Sequence, residues 1–329
     1  MTVTSANANG LEMRVVDEGS GSAVLFLHGF PETSHSWRHQ IRDLAAVGYR
    51  AIAPDLRGYG GTAGPHALEA YSVFDGVGDV VGLLDALGIE KAVLVGNDWG
   101  STLAWSTALV RPDRVRGVAA IGVPFMDASP MPPSQLFPQN DEALFYTHYF
   151  QQEGVAEAEF EGDIALTLRK IFFAASSDAG PRVLGDGTPN PFSMVSRQDG
   201  LLGALPDPKT LPGWLDESDL QNYVAAFTAS GFRGALNYYR NLDANWRLQR
   251  AFAGRPVEVP AVYMVGDRDV GLSMPGMREI IASMKDRIPG LTRSVFIEKC
   301  GHWAPQEQPR VVTDIVLAFL GQLDEQLGD

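Results

Sequence analysis

Short unbroken apolar runs alternate with stretches of helical spacing through the first third of the chain. Residues 23–27 (AVLFL) run into His28 and Gly29, and residues 49–53 (YRAIA) into Pro54 and Asp55. Residues 92–95 (AVLV) stop at Gly96, and residues 118–121 (VAAI) at Gly122. Runs without a polar face, each ended by Gly or Pro, predict buried strands of a parallel sheet. Between them Val77, Val80, Val81, Leu84 and Leu87 recur at helical spacing, with Gly88 placed as a C-terminal stop. A second helical stretch covers residues 101–109. Strands alternating with helices imply an α/β fold with both sheet faces covered.

The pattern changes after Pro124. Five prolines (124, 130, 132, 133 and 138) crowd one stretch, and residues 141–246 read as helical, interrupted by a Gly/Pro-rich loop over 180–212. No strong strand is expected there. Strands resume at residues 261–265 (AVYMV) and 293–297 (RSVFI). A last helix over 309–320 has Val311, Val312, Ile315, Ala318 and Phe319 on its apolar face. The expected division is one α/β domain from residues 1–124 and 247–329, with 125–246 inserted as a helical lid at the carboxyl end of the sheet, where such folds place their ligands.

Of the 329 residues 45% are hydrophobic and 20% charged, which excludes a disordered or fibrous chain. The 26 basic and 40 acidic residues give a net charge of −14, which repels phosphate and argues against nucleic acid or an anionic membrane as partner. No apolar run has the length of a membrane span. The N-terminal residues lack a basic region followed by an apolar one, so no secretory signal is expected. With Cys300 the single cysteine, neither an internal disulfide nor a thiolate metal cluster can form. A cytoplasmic location and the absence of a metal or organic cofactor are the expectations.

Four strand ends carry the candidate chemistry. Residues 96–100 (GNDWG) stand between a strand and a helix, with the glycine spacing of the G-x-S-x-G turn that presents a nucleophile in α/β-hydrolases. Here Asp98 takes the place of Ser. A carboxylate is ionised at neutral pH and attacks alkyl carbon to form an ester. The bland alternative is an Asp capping the helix that follows. Residues 28–32 (HGFPE) form a loop whose Phe30 N–H, with that of Trp99, can meet a developing oxyanion. His28 reads as a structural hydrogen-bonder. Residues 266–269 (GDRD) supply Asp269, with Asp267 as competitor, and residues 300–303 (CGHW) supply His302. The order Asp98, Asp269, His302 is that of nucleophile, acid and base in α/β-hydrolases, with Asp269 orienting the imidazole. Cys300 reads as packing, and residues 55–60 (DLRGYG) as a structural loop in which Asp55 and Arg57 satisfy buried backbone.

Together these segments resemble the α/β-hydrolase epoxide hydrolases, from about residue 11 to the C-terminus. Residues 149–160 and 230–240 look like that family's lid. The resemblance implies an α/β-hydrolase fold, a mostly parallel sheet flanked by helices with an inserted helical lid. It also implies hydrolysis of a small apolar epoxide to a diol by a monomer or homodimer. In the family two lid tyrosines donate hydrogen bonds to the epoxide oxygen, and by position these are Tyr146 and Tyr239. Where this chain has Tyr238 the family more often has Trp, and Tyr149 shares a helix face with Tyr146, so Tyr149 and Tyr238 are alternative donors. A haloalkane dehalogenase would use the same triad, but Phe30 offers no side-chain donor to a halide. A fluoroacetate dehalogenase would want arginine where Trp99 and Thr102 stand. A serine esterase would need G-x-S-x-G. A ligand receptor on the same fold is the reading outside catalysis.

Overall fold

The computed structural model describes residues 1–180 and 192–325. Eight strands form one sheet: β1 (Val3–Ala8), β2 (Leu11–Gly19), β3 (Ala23–Leu27), β4 (Arg50–Pro54), β5 (Ala92–Asn97), β6 (Val115–Ile121), β7 (Ala261–Gly266) and β8 (Leu291–Ile297). Their spatial order is β1-β2-β4-β3-β5-β6-β7-β8. β1 and β2 are antiparallel, β2 pairs antiparallel with β4, and every pairing from β4 to β8 is parallel. The chain is an α/β-hydrolase fold.

Strands β3 and β5 are buried along their whole length because helices cover both faces. On one face α2 (Val73–Ala86) and α3 (Trp99–Val110) pack their Val80, Leu83 and Leu103 against Leu25, Leu27 and Leu94. On the other, α1 (Arg38–Ala46) and the C-terminal helix Pro309–Glu325 pack Ile41, Leu44, Val316 and Phe319 against Val24, Phe26, Val93 and Val95. The C-terminal helix buries Val312, Ile315, Val316, Phe319, Leu320 and Leu323, whereas Val311 and Ala318 are exposed. The buried stripe is thus rotated from the expected one, because the helix extends five residues further and Leu323 joins the contact.

Between β6 and β7 the chain forms α4 (Tyr146–Tyr149), α5 (Val155–Gly162), α6 (Ile164–Ala175), α7 (Glu217–Ser230), α8 (Arg233–Arg240) and α9 (Leu242–Gln249). A two-residue pairing of Ala143–Leu144 with Val195–Ser196 also occurs there, too short to show as a strand in the sequence. Of the loop expected over 180–212, residues 181–191 lie outside the described residues, and residues 200–204 are helical.

Connectivity fixes where a site can form. From β3 the chain steps outward to β4, then crosses back to the other side of β3 as β5. The loops after β3 and β5 therefore diverge at the sheet's carboxyl edge, at a topological switch point. These are the loops that carry residues 28–32 and Asp98.

Candidate active site

Asp98 links β5 directly to α3 and holds φ 53°, ψ −118°, a conformation that L residues rarely adopt. Its neighbours explain why the turn needs glycine. A Cβ on Gly96 would collide with the Gly100 carbonyl, and one on Gly100 with the Leu27 carbonyl. The Asp98 side chain occupies the space a Cβ on Gly29 would take, so the loop after β3 lies directly over it. That approach brings the Phe30 N–H to Asp98 Oδ1 at 2.8 Å. Trp99 follows as the first residue of α3, whose leading amides have no partner within the helix.

His302 stands between two carboxylates. Its Nδ1 is 2.9 Å from Asp269 Oδ2, and its Nε2 is 3.7 Å from Asp98 Oδ2. Asp269, itself buried, also accepts the Gly271 N–H at 2.7 Å, which fixes its carboxylate. Burial alone would push the pKa of the imidazole down. The Asp269 and Asp98 carboxylates outweigh it and hold the value well above the ordinary one. Asp267 instead accepts the Cys300 N–H at 3.3 Å and serves the turn.

Behind Asp98 lies a carboxylate that sequence reasoning passed over. Glu32 is fully buried and accepts from Gln306 Nε2 (2.9 Å), Asn97 Nδ2 (3.2 Å) and the Gly29 N–H (3.4 Å). Burial pushes its pKa up to about 7, against the opposing hydrogen bond from Asn97. An acid directly after the apolar Phe30-Pro31 pair was the available signal.

Above the carboxylate the walls are aromatic. Trp99 packs edge-on against Tyr239 at 5.2 Å, and Phe30 meets Tyr239 at 5.5 Å and Phe150 at 5.9 Å. Tyr146, on α4, and Tyr239, on α8, meet edge to face at 5.8 Å between ring centres. Burial raises the pKa of both phenols, and the charge of Asp98 raises each further. The two alternative tyrosines have their hydroxyls engaged elsewhere: Tyr149 donates to Glu159 Oε2 at 2.8 Å and Tyr238 to the Arg57 carbonyl at 3.1 Å.

The remaining residues singled out from sequence serve the scaffold. His28 Nε2 accepts the Leu56 N–H at 2.9 Å, and burial holds its pKa below the ordinary value. Asp55 accepts the N–H groups of Ser34 and Gly61, each at 2.9 Å. Arg57 departs from expectation, since its guanidinium pairs with the buried Asp79 carboxylate (Nε to Oδ2, 2.8 Å) rather than with backbone. Cys300 is buried, and burial pushes its thiol pKa up, as befits a packing residue. Among the described residues no group of side chains is arranged to hold a metal ion, and no helix is long and apolar enough to cross a membrane.

Residues 22–309 match the α/β-hydrolase fold family. The chain is 41% identical over 325 residues to epoxide hydrolase A of Mycobacterium tuberculosis, covering 97% of each. It is 40% identical to epoxide hydrolase 2 of Siraitia grosvenorii, covering 96% of this chain and 97% of that one. Among solved structures, an epoxide hydrolase from an endophytic Streptomyces superposes with a TM-score of 0.92 at 36% identity, covering 98% of this chain and 96% of that one. Epoxide hydrolase A of Mycobacterium thermoresistibile gives 0.88 at 38% identity, covering 97% and 98%.

Proposed function

The chain belongs to the epoxide hydrolases of the α/β-hydrolase fold family, and on that footing we propose that it opens a small apolar epoxide through an ester formed on Asp98. We read residues 125–246 as a cap over a core of residues 1–124 and 247–329, with substrate held between them. The observation that carries the mechanism is the division of labour at Asp98. Oδ1 is held by the Phe30 N–H, while Oδ2 faces His302. Oδ2 attacks ring carbon from the side opposite the breaking C–O bond. Tyr146 and Tyr239 donate hydrogen bonds to the ring oxygen, and one proton passes to the nascent alkoxide. With pKa values above that of free phenol, both are protonated at neutral pH and able to donate.

Ester formation removes the negative charge of Asp98, one of the interactions that raise the pKa of His302. The imidazole becomes easier to deprotonate just when a base is needed. Nε2 then takes a proton from water, which attacks the ester carbonyl carbon. Charge builds on Oδ1 towards the N–H groups of Phe30 and Trp99. Asp269 stabilises the imidazolium through Nδ1. Collapse expels the diol oxygen, which takes the proton held by the imidazolium; the new carboxyl group gives up its proton, which returns to the tyrosinate, and the Asp98 carboxylate is restored.

A carboxylate nucleophile gives its own oxygen to the product, and this is testable directly. With enzyme in excess in ¹⁸O-water, the first-turnover diol should be largely unlabelled, and the peptide containing Asp98 should gain the heavy oxygen. A fully labelled diol would mean direct attack by water, with Asp98 reduced to a general base.

A further inference from the structure

The loop that carries His302 caps a helix of the cap region. The last carbonyls of α6 have no partner within the helix. Two of them are taken from this loop, Ala175 O by the His302 N–H at 2.9 Å and Phe172 O by the Trp303 indole N–H at 2.8 Å. Gly301 lies so close to the end of α6 that a Cβ there would come within 2.5 Å of the Ser177 nitrogen. Glu307 closes the junction. Its Oε2 accepts the N–H groups of Ser177 and Gly301, each at 2.9 Å, and its Oε1 accepts that of Trp303 at 3.0 Å. One carboxylate therefore grips the backbone on both sides of His302 and joins it to Ser177, two residues past the end of α6. Glu307 faces neither Asp98 nor the aromatic walls in any of these bonds, and the mechanism above does not use it. Glu307 is half-buried, and a carboxylate drawn partly out of water is costly unless its lone pairs are filled; here three backbone donors fill them.

We propose that Glu307 is a positioning residue for ester hydrolysis, tying the His302 loop to the end of α6 so that Nε2 keeps its reach to the ester and the attacking water. The proposal rests on the reading of His302 as the water-activating base. Proximity catalysis is steep in distance, and misplacing a group by ~1 Å costs as much as ~10²-fold. The first step should be indifferent, because Asp98 and the tyrosines are held by other elements.

The test resolves the two half-reactions in single-turnover experiments with an epoxide. Glu307→Gln puts an amide N–H₂ against a backbone N–H and breaks at least one of the three bonds. Ser177→Pro removes the donor on the α6 side and sets its Cδ against Oε2, so the carboxylate must move away. Ser177 opens a short 3₁₀ turn, and Ser176 before it is extended (φ −80°, ψ 168°), so the local backbone suits proline. Both variants should form the ester at the wild-type rate and hydrolyse it about 10- to 100-fold more slowly. Neither should slow it further in a His302→Ala background. Equal slowing of both steps, or wild-type hydrolysis in either variant, overturns the proposal. His302→Ala alone tests the reading beneath it: if that variant hydrolyses the ester at the wild-type rate, His302 is not the base, whatever Glu307 does.

Discussion

Tyr146 and Tyr239 are weaker acids here than free phenol, which suits the shared donor role proposed for them. A hydroxyl that kept its proton poorly would ionise beside Asp98 and repel the developing alkoxide, whereas these remain donors across the neutral range. General-acid help is worth ~10²–10⁴ in rate, so losing both hydroxyls should slow ester formation by about that factor. Tyr146→Phe or Tyr239→Phe alone should cost less, because one donor remains, and ester hydrolysis should hardly change in any of the three. Stopped-flow observation of the alkylation phase separates these. A double Phe variant that alkylates at the wild-type rate would remove both residues from the mechanism. Asp98, Asp269 and His302 were legible because spacing and chain order announce them. Glu32 and Glu307 were not, since their character comes from distant segments: Glu32 is buried against Gln306, and Glu307 accepts the N–H of Ser177. No local pattern encodes that desolvation.

Helix α8 carries Tyr239, and its first turn rests on the core with no side chain between. Gly234 on α8 and Gly58 in the loop after β4 face each other, and a Cβ on Gly234 would lie 2.7 Å from the Gly58 Cα and carbonyl oxygen. Two opposed effects therefore act on Gly234→Ala. Helix propensity favours Ala by about 1 kcal/mol. Forcing a methyl into a backbone contact costs about 1–3 kcal/mol, so packing should win and the variant should unfold at lower denaturant. Displacement of α8 should also slow alkylation through Tyr239, without slowing ester hydrolysis. A variant more stable than wild type would show the contact to be slack. The apolar runs 92–95 and 118–121 within β5 and β6 were readable because both faces of these strands are buried there. The antiparallel pair β1 and β2 escaped notice although Leu11, Met13 and Val15 alternate as one face of a strand should. Half-buried alternation is a weaker signal than an unbroken apolar run. Which residues of α8 would meet the core was beyond reach, because the meeting depends on how two segments more than 170 positions apart are brought together.

Across the molecule the net charge of −14 sets a field that any charged substrate must cross, and a neutral epoxide does not feel it. The site adds to that field, with the Asp98 and Asp269 carboxylates on either side of one imidazole. An epoxide bearing a carboxylate should therefore be disfavoured at low ionic strength for reasons unrelated to the fit of its ring. Lowering the Debye length from ~30 Å at 0.01 M salt to ~8 Å at 0.15 M screens most of the repulsion between separated charges. The expected outcome is a kcat/KM for a neutral aryl epoxide that stays within about twofold over that range, while the value for a carboxylate-bearing analogue rises several-fold. The sign follows from the charge surplus, since screening relieves repulsion between an acidic protein and an anion. Steady-state rates for the matched pair of substrates across a sodium chloride series would decide it. If the anionic analogue shows no salt dependence, cationic groups near the entrance offset the surplus. If the neutral one accelerates equally, salt acts on the enzyme itself and the field plays no part in selecting substrate.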